Sequence, residues 1–369
     1  MPLFNVYPLY DVTPVSGKGV YVYDENGTEY LDLYGGHAVI SIGHAHPKYV
    51  KAISKQVEAL GFYSNAIQNP LQIKLANRLE RISGCKDYQL FLCNSGAEAN
   101  ENALKLASFK TGKKRVVAFS NGFHGRTSAA VAATDNKNII APINAQQAVT
   151  ILPLNDVEGV KAELEKGDVC AVIVEFIQGV GGLDQGTAEF FEQVDALCKA
   201  NNTFFIADEV QSGYGRSGKF FAFQHYNVTP DVISIAKGMG NGFPIGGILI
   251  HPSIEAKFGM LGTTFGGNHL ACAAGLSVLR VIDEQKLMDN VNDMNCYFVK
   301  LAKTIPQIKA IKGKGLMLGL EFDFEVGQLR KDLIYNHHIF TGGAMNKNLL
   351  RILPPLTIRR NTLICFLKL

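Results

Sequence analysis

The sequence predicts an α/β protein that has a mostly parallel sheet of seven strands and a smaller α+β domain. Between about residues 88 and 250, short apolar runs rich in β-branched residues alternate with stretches of helical spacing. This alternation is typical of parallel strands whose connecting helices cover both faces of the sheet. The 369 residues, 47% hydrophobic and 19% charged, allow two domains and a large core.

Each element is indicated by a local pattern. An Asn26-Gly27 pair predicts a hairpin over residues 20–33. Helical spacing predicts helices over 48–60 and 70–82, and a long helical stretch after Asn268 through about Ile305, before a mixed α+β tail. The runs predicted as strands are 88–93, 115–119, 149–152, 171–175, 203–207, 232–236 and 247–250. The helices predicted between them are 98–110, 156–166, 189–200 and one that follows Thr127.

The domain boundaries are expected to follow this order. Residues 1–47 would pack with the small domain, 48–268 would form the large domain, and 269–369 would form the small domain with its linking helix. The small, dispersed net charge of +3 argues against nucleic acid or membrane partners. No signal pattern and no long apolar run is found, so a cytoplasmic protein is expected. Seven cysteines without a CxxC pair predict free thiols and no metal site.

Lys237 ends an apolar run and is followed at once by glycines, in Lys-Gly-Met-Gly-Asn-Gly. Open α/β sheets bind ligands at the carboxyl ends of their strands, which is where this lysine is expected. A lysine amine in a partly dry site loses proton affinity and becomes a nucleophile, as a Schiff base with an aldehyde requires. The ordinary alternative is a lysine that reaches out to water. The neighbouring motifs argue against that alternative.

Asp208 follows the strand that precedes the run ending at Lys237, so both side chains are expected in one crevice. A carboxylate there would keep the ring nitrogen of pyridoxal phosphate protonated and make the ring an electron sink. The phosphate of the cofactor would need hydrogen-bond donors around it. The segment Asn94-Ser95-Gly96-Ala97 opens a predicted helix, whose free N–H groups and dipole attract an anion. The glycine loop at 262–268 is a second candidate cradle.

A third loop after a strand contains Phe123 and Arg126, in Phe-His-Gly-Arg-Thr. Phe123 is suited to stack on a flat ring, and Arg126 is suited to hold a substrate carboxylate through two hydrogen bonds. Taken singly, each residue has a simpler interpretation as core phenylalanine or solvated arginine. Beside Lys237 and Asp208, they favour a cofactor site.

Together these segments resemble the class III aminotransferases, fold-type I enzymes that depend on pyridoxal phosphate. The resemblance spans residues 31–355, and within the family the sequence is most similar to acetylornithine aminotransferases and their acylornithine variants. Its most specific part joins Asp208-Glu-Val-Gln-Ser-Gly to Pro230-Asp231, Lys237-Gly and Pro244-Ile-Gly246. Further motifs are Gly43-His-x-His-Pro47, Asn94-Ser-Gly-Ala-Glu-Ala-Asn100, Thr264-Phe-Gly-Gly-Asn268 and Lys314-Gly-Leu-Met-Leu-Gly319.

The resemblance implies how the cofactor is held. Lys237 would bind it covalently and shuttle a proton, and Asp208 would pair with the pyridine nitrogen. The other implied contacts are Phe123 and Val210 on the ring faces, Gln211 near the ring hydroxyl, Ser95, Gly96 and Ala97 on the phosphate, and Glu175 from the preceding strand. Thr264 would reach the cofactor phosphate of a second subunit, so a homodimer with active sites at the interface is implied.

The resemblance also implies how substrates are held. Arg126 would bind the α-carboxylate of an acylornithine and leave its δ-amine at the aldehyde. Arg351 would bind the α-carboxylate of glutamate or 2-oxoglutarate, and Ser64 and Asn65 are expected among the substrate contacts.

Two departures from the family pattern concern substrate selection. The second glutamate of the family motif, which pairs with the arginine matching Arg351 and gates it, is Val180 here. His37 stands near the position where ornithine aminotransferases have a tyrosine, which favours an acylated substrate. His37 either faces the acyl group or serves as a structural histidine.

The leading hypothesis is a transaminase that moves the δ-amino group between N-acetylornithine or N-succinylornithine and 2-oxoglutarate, in arginine biosynthesis. Alternatives in the same family are ornithine, 4-aminobutyrate or another ω-amine as donor. An aminomutase of the glutamate-1-semialdehyde type is a further alternative, although it would need no arginine for a second substrate. A binding protein without activity is disfavoured by Lys237 and Asp208.

Overall fold

A computed structural model describes residues 1–367, which form three sheets. The strands are β1 (Pro14–Lys18), β2 (Tyr21–Asp24), β3 (Glu29–Asp32), β4 (Gln89–Cys93), β5 (Arg115–Phe119), β6 (Val149–Leu152), β7 (Val169–Val174), β8 (Phe204–Asp208), β9 (Val232–Ile235), β10 (Gly246–Ile250), β11 (Ala310–Lys314), β12 (Met317–Glu321), β13 (Ile339–Phe340) and β14 (Leu349–Ile352). Strands β4 to β10 form the central sheet of seven, in the order β4-β10-β9-β8-β7-β5-β6.

The central sheet is mostly parallel, as the sequence predicts. Strands β6, β5, β7, β8 and β9 pair in parallel, and β10 runs antiparallel to both of its neighbours, β9 and β4. The predicted strands overlap the observed ones, with small shifts at the ends. Glu175 lies just beyond β7, and Asp208 is the last residue of β8 rather than the first residue after it.

The helices are α1 (Gly35–Ala38), α2 (Pro47–Ala59), α3 (Pro70–Ser83), α4 (Gly96–Thr111), α5 (Ser128–Ala132), α6 (Val157–Leu164), α7 (Ala188–Ala200), α8 (His269–Glu284), α9 (Leu287–Ala302), α10 (Gly327–Tyr335) and α11 (Arg360–Leu367). The helical stretch predicted after Asn268 consists of two helices, α8 and α9, and the break between them was not predicted. Lys286 between them has a left-handed φ of 48°, which interrupts the helical backbone. No helix in the part of the chain described is long and apolar enough to cross a bilayer.

Two smaller sheets lie outside the central one. The predicted hairpin is β2 and β3, whose turn contains Gly27 at a φ of 81°, and it joins β1 and β13 in a four-stranded sheet. Strands β11, β12 and β14 form an antiparallel sheet. The domain boundaries at residues 47 and 268 stay a prediction.

Apolar side chains cover both faces of the central sheet. Along β5, Val117 and Phe119 enter the larger apolar cluster, whereas Val116 and Ala118 enter a second cluster that includes residues of α4. Successive side chains of a strand point to opposite faces, so this split shows that β5 is buried on both sides. The polar side chains Glu175 and Asp208 lie at the carboxyl ends of β7 and β8.

Candidate active site

A cavity of about 350 Å³ lies where β8, β9 and the start of α4 meet, a volume typical of small-ligand sites. Ten residues predicted for the site line it together: Ser95, Gly96, Ala97, Phe123, Arg126, Glu175, Asp208, Val210, Gln211 and Lys237. These residues come from segments up to 142 positions apart in the chain, the separation of residues 95 and 237. Tertiary structure has therefore assembled the predicted constellation in one place.

Lys237 lies two residues beyond β9, in a short 3-10 turn that begins at the lysine itself. Its φ of 44° is in the left-handed region, a conformation that is strained for a residue with a side chain and is concentrated at functional sites. Burial lowers the pKa of the Lys237 amine, an effect that Asp208 and Glu175 oppose and Arg351 reinforces. The amine is thus more readily neutral than an ordinary lysine amine.

Asp208 is held by three hydrogen bonds. Its Oδ2 accepts from Asn100 Nδ2 at 2.8 Å and from His124 Nδ1 at 2.7 Å, and its Oδ1 accepts from the Val210 backbone N–H at 3.1 Å. Burial disfavours a charged His124, but the hydrogen bond and charge of Asp208 outweigh burial and raise the pKa of the imidazole. The carboxylate is therefore fixed in direction and kept beside a positive or hydrogen-bonding partner.

Asn100 and His124 are site residues to which the sequence analysis gave no role. Asn100 lies about one turn into α4, and His124 directly follows Phe123. Both belong to motifs that carried the family resemblance. The signal available in the sequence was a polar side chain within a motif expected to be buried, because a buried amide or imidazole needs a hydrogen-bond partner. The sequence could not reveal that the partner of both is Asp208.

The loop before α4 combines an ordinary helix cap with unpaired backbone donors. Ser95 Oγ accepts from the Glu98 N–H at 3.2 Å, and the Glu98 carboxylate accepts from the Asn94 N–H at 2.6 Å. The N–H groups of Gly96 and Ala97 make no hydrogen bond within residues 1–367. A Cβ on Gly96 would lie 2.5 Å from Val210 Cγ1, so only glycine fits. The loop is therefore an ordinary helix cap that also leaves two backbone donors available to a ligand.

Glu175 organises backbone around the cavity. Its Oε1 accepts from the Phe123 N–H and its Oε2 from the Gly179 N–H, both at 2.8 Å. Burial, followed by the charge of Asp208, raises the pKa of the Glu175 carboxyl. Gln211 donates through Nε2 to the His37 carbonyl at 3.2 Å, and its buried Oε1 has no partner in the part of the chain described.

The turn α1 is left-handed, which the sequence analysis did not predict. Gly35, Gly36, His37 and Ala38 have φ values of 55°, 53°, 69° and 63°. The turn is closed by hydrogen bonds to the carbonyls of Tyr34 and Gly35, and the His37 ring lies 4.7 Å from the Tyr34 ring. The conformation is strained at His37 and Ala38, which carry side chains, so the surrounding contacts must hold the turn beside the cavity.

Arg351 lies near the cavity but does not line it, and it is only 4% exposed. It donates from Nε to the Gly343 carbonyl at 2.6 Å, from Nη1 to the Gly179 carbonyl at 2.7 Å, and from Nη2 to the Tyr34 hydroxyl at 3.4 Å. Burial lowers the pKa of the guanidinium. Arg126, in contrast, is exposed at the cavity rim.

Thr264, Ser64 and Asn65 do not line this cavity in the single chain. Asn65 Nδ2 donates to the carbonyls of Thr263 and Gly266 at 3.1 and 3.0 Å, so the two loops are joined. Their predicted roles with a second subunit or with substrate stay predictions.

The class-III aminotransferase family model matches residues 5–368. This chain belongs to the class-III aminotransferases. It is 39% identical over 366 residues to the acetylornithine aminotransferase of Bacillus subtilis, covering 97% of this chain and 94% of that protein. The solved ornithine aminotransferase of Toxoplasma gondii matches at a TM-score of 0.90 and 28% identity, covering 98% of this chain and 90% of that one. The solved N-acetylornithine aminotransferase of Stenotrophomonas maltophilia matches at a TM-score of 0.82 and 30% identity, covering 98% of this chain and 94% of that one.

Membership confirms the predicted fold class and the predicted pyridoxal-phosphate-dependent aminotransferase. The residues of this class-III aminotransferase also fit the cofactor. The free N–H groups of Gly96 and Ala97 suit a phosphate, the unpartnered Gln211 Oε1 suits a hydroxyl, and Asp208 retains acceptor capacity on Oδ1. Phe123 and Val210 line the same cavity as apolar surfaces for a flat ring.

Proposed function

We propose that this class-III aminotransferase moves the δ-amino group between an N-acylornithine, acetylated or succinylated, and 2-oxoglutarate, as a step in arginine synthesis. The observation that carries this proposal is the half-buried Lys237 beside the immobilised Asp208. It occurs in a chain that aligns over 97% of its length with an acetylornithine aminotransferase. The exposed Arg126 at the rim supports a carboxylate-bearing substrate.

The protein's part in the reaction is to place charges and move protons. When bound, pyridoxal phosphate supplies an aldehyde for the amine and a ring that withdraws electrons from the adjacent carbon. Asp208 would hold a proton at the ring nitrogen, and its hydrogen bonds with Asn100 and His124 fix its direction. The Lys237 amine would take a proton from the substrate carbon and deliver it to the cofactor, on the far side of the transferred nitrogen. Its lowered pKa makes it a more readily available base.

The two arginines would divide the substrates between them. Arg126 at the rim would hold the α-carboxylate that lies far from the reacting δ-carbon of an acylornithine. Arg351, which is buried and close enough to Lys237 to affect its pKa, would hold the α-carboxylate of 2-oxoglutarate, whose reacting carbon is adjacent. The reacting carbon of an acylornithine is far from its α-carboxylate, which suits an arginine at the rim. The reacting carbon of 2-oxoglutarate is next to its α-carboxylate, which suits a buried arginine near Lys237.

We also infer a homodimer. Large apolar side chains are exposed on the loops that contain Ser64 and Thr264: Phe62 at 41%, Tyr63 at 58%, Ile67 at 59% and Phe265 at 59%. A contiguous exposed apolar surface usually marks an interface, and here it includes residues predicted to serve a second subunit's site. Phe62→Asp should shift the mass measured by sedimentation towards that of one chain. The control Phe324→Asp, on an exposed residue of another region, should leave it unchanged; no shift for Phe62→Asp would contradict the inference.

The reducing interior of the cell is the proposed location. Cys85, Cys93, Cys170, Cys198 and Cys272 are buried free thiols, and Cys296 is an exposed one. Free thiols in this number are typical of a reducing compartment.

The proposed substrate is tested by a panel of amino donors at saturating 2-oxoglutarate: N-acetylornithine, N-succinylornithine, ornithine and 4-aminobutyrate. One acylated donor should exceed ornithine in kcat/KM by about tenfold or more, the discrimination that a few pocket contacts provide. A higher kcat/KM for ornithine or 4-aminobutyrate would reassign the enzyme to that ω-amine. Isomerisation of an amino aldehyde without 2-oxoglutarate would favour the aminomutase alternative.

A further inference from the structure

The turn that contains Lys237 has little conformational preference of its own. The run 238–242 reads Gly-Met-Gly-Asn-Gly, so three of the five residues after the lysine are glycines. Lys237 and Asn241 nevertheless both have left-handed φ values, 44° and 47°. Glycine has more backbone freedom than any other residue, and a left-handed lysine is strained. Contacts with other segments must therefore impose the conformation of this turn.

The side chain of Asn241 fastens the turn to residues 41–43. It is only 5% exposed. Its Oδ1 accepts from the N–H groups of Ser41 and Ile42, both at 2.9 Å, and its Nδ2 donates to the Gly43 carbonyl at 3.0 Å. A primary amide offers an acceptor and a donor together, which a carboxylate or an apolar side chain does not. The amide therefore binds the backbone of three consecutive residues.

Two hydroxyl groups from the same stretch of chain also hold the turn. Ser41 Oγ donates to the Gly238 carbonyl at 2.7 Å, and the Tyr49 hydroxyl donates to the Gly240 carbonyl at 2.8 Å. Ser41 is buried and Tyr49 is half-buried. Residues 41–49 are thus joined to the turn at positions 238, 240 and 241.

These hydrogen bonds join two walls of the active-site cavity. Val39 lines it on one segment, and Lys237 and residues 242–245 line it on the other. The two segments also pack together, because a Cβ on Gly242 would lie 3.5 Å from Ile40 Cδ1. Movement of the turn away from residues 39–43 would therefore displace the lysine and open the cavity to water.

Asn241, Ser41 and Tyr49 are not among the described residues that line the cavity. They can affect the reaction only through the backbone that they hold. The ordinary alternative is that they merely stabilise the fold by tying residues 41–49 to the large sheet. The two roles differ in what they do to the Lys237 amine, whose pKa is lowered chiefly by burial and so depends on where the turn places it.

We propose that Asn241, assisted by Ser41 and Tyr49, is a positioning residue that holds the lysine turn in its left-handed form and keeps the Lys237 amine inside the cavity. The proposal deepens the proposed function and rests on the role given there to Lys237, but not on the identity of the amino donor. Because one amine serves both half-reactions, losing these contacts should slow both and change substrate binding little.

Two variants remove the amide in different ways. Asn241→Gly leaves the left-handed backbone unstrained, whereas Asn241→Ala adds strain, so an effect common to both comes from the amide. In both, kcat should fall by about tenfold to a hundredfold with little change in either KM, since misplacing a reacting group lowers the rate more than binding. Steady-state kinetics with each substrate measure this split.

A second measurement needs no turnover. In apoenzyme, the pH midpoint of pyridoxal phosphate uptake should rise in both Asn241 variants towards 10.5, the ordinary pKa of a lysine amine, because a displaced amine is more exposed to water. Stopped-flow absorbance follows the uptake.

Tyr49→Phe removes a single hydrogen bond and decides the matter if the Asn241 variants do not fold. It should raise the midpoint and lower kcat by about twofold to tenfold, the value of one hydrogen bond. Tyr88→Phe is the matched control, because the Tyr88 hydroxyl donates to the Pro230 carbonyl at 2.7 Å. Asn295→Ala serves likewise for the amide, which donates to the Gly315 carbonyl at 2.7 Å. Both controls should lower Tm but leave kcat and the midpoint unchanged.

A wild-type midpoint in the Asn241 variants that fold, or in Tyr49→Phe if neither folds, would overturn the proposal whatever the change in Tm or kcat. The contacts would then serve stability alone. Failure of the proposed function has a different signature, since Lys237→Ala would keep the absorbance of the covalently held cofactor. Loss of that absorbance in Lys237→Ala, together with control-like Asn241 variants, would refute the positioning role only.

Discussion

Asp208 and Arg351 are both buried charged residues close to Lys237, but their surroundings differ. Asp208 has three hydrogen bonds to an amide, an imidazole and a backbone N–H. Among residues 1–367, Arg351 has only neutral oxygens as hydrogen-bond partners, and the buried Nε of Arg330 beside it has no hydrogen-bond partner. The carboxylate proposed for the cofactor is thus held by other groups of the protein, whereas the arginine proposed for substrate has no charged partner among residues 1–367.

This difference matches what each side has to do. A cofactor that stays bound through the cycle is best served by groups fixed in advance, because no reorganisation is then needed during the reaction. A substrate side that must take two different molecules in turn benefits from charges that the ligand itself satisfies. We therefore expect changes on the cofactor side to impair both half-reactions, and changes on the substrate side to affect one.

The largest effect is expected for Lys237→Ala. Losing the amine removes both the covalent link and the proton carrier, so kcat should fall by about a thousandfold or more in each half-reaction. The variant should also lose the absorbance of the covalently held cofactor near the visible edge after exhaustive dialysis. Persistence of that band would exclude Lys237 as the attachment point.

Asp208→Asn is expected to have the next largest effect. It keeps the size of the side chain but removes the charge, so kcat should fall by about a hundredfold, equally with acylornithine and with 2-oxoglutarate. The matched change Asp289→Asn, on an exposed carboxylate of α9, should leave kcat unchanged. If only one half-reaction slowed, the contrast between the two sides would fail.

The substrate arginines should show a split in KM. Arg126→Met should raise KM for the acylornithine, and Arg351→Met should raise KM for 2-oxoglutarate, each by roughly tenfold to a hundredfold, the value of a hydrogen bond to a charged group. Lys51→Met, an exposed lysine of α2, serves as the control. The same rise for both substrates in both variants would show that the arginines do not divide the substrates.

The smallest effect concerns pH. The amine of Lys237 must be neutral to attack an aldehyde, and its pKa is lowered from the ordinary value of 10.5, chiefly by burial. The rate at which apoenzyme takes up pyridoxal phosphate should therefore rise with pH around a midpoint below 10.5. Arg351→Met should move this midpoint upward, since the positive charge of Arg351 contributes to the lowering. Stopped-flow absorbance measures both, and a midpoint at or above 10.5 would refute the assignment.

Much of the fold was predictable because its signals are local. Apolar runs and glycine punctuation located the strands of the central sheet, and Ser95 and Gly112 bound α4 by ordinary capping rules. The break between α8 and α9 was missed because Lys286 adopts a left-handed conformation that no glycine or proline signals. The left-handed turn α1 begins with Gly35 and Gly36, but it continues through His37 and Ala38, whose side chains ordinarily exclude that conformation, and was therefore not predicted.

By itself, the sequence indicated the chemistry of this protein, because a carboxylate and a lysine at the carboxyl ends of successive strands are expected at one edge of a parallel sheet. Only the tertiary structure decided which residues contact Asp208 and Arg351. Asn100 and His124 converge on Asp208 from segments 108 and 84 residues away, and Arg330 meets Arg351 across residues 341–343. Such pairings depend on packing between distant segments, and periodicity and motif spacing carry no information about them.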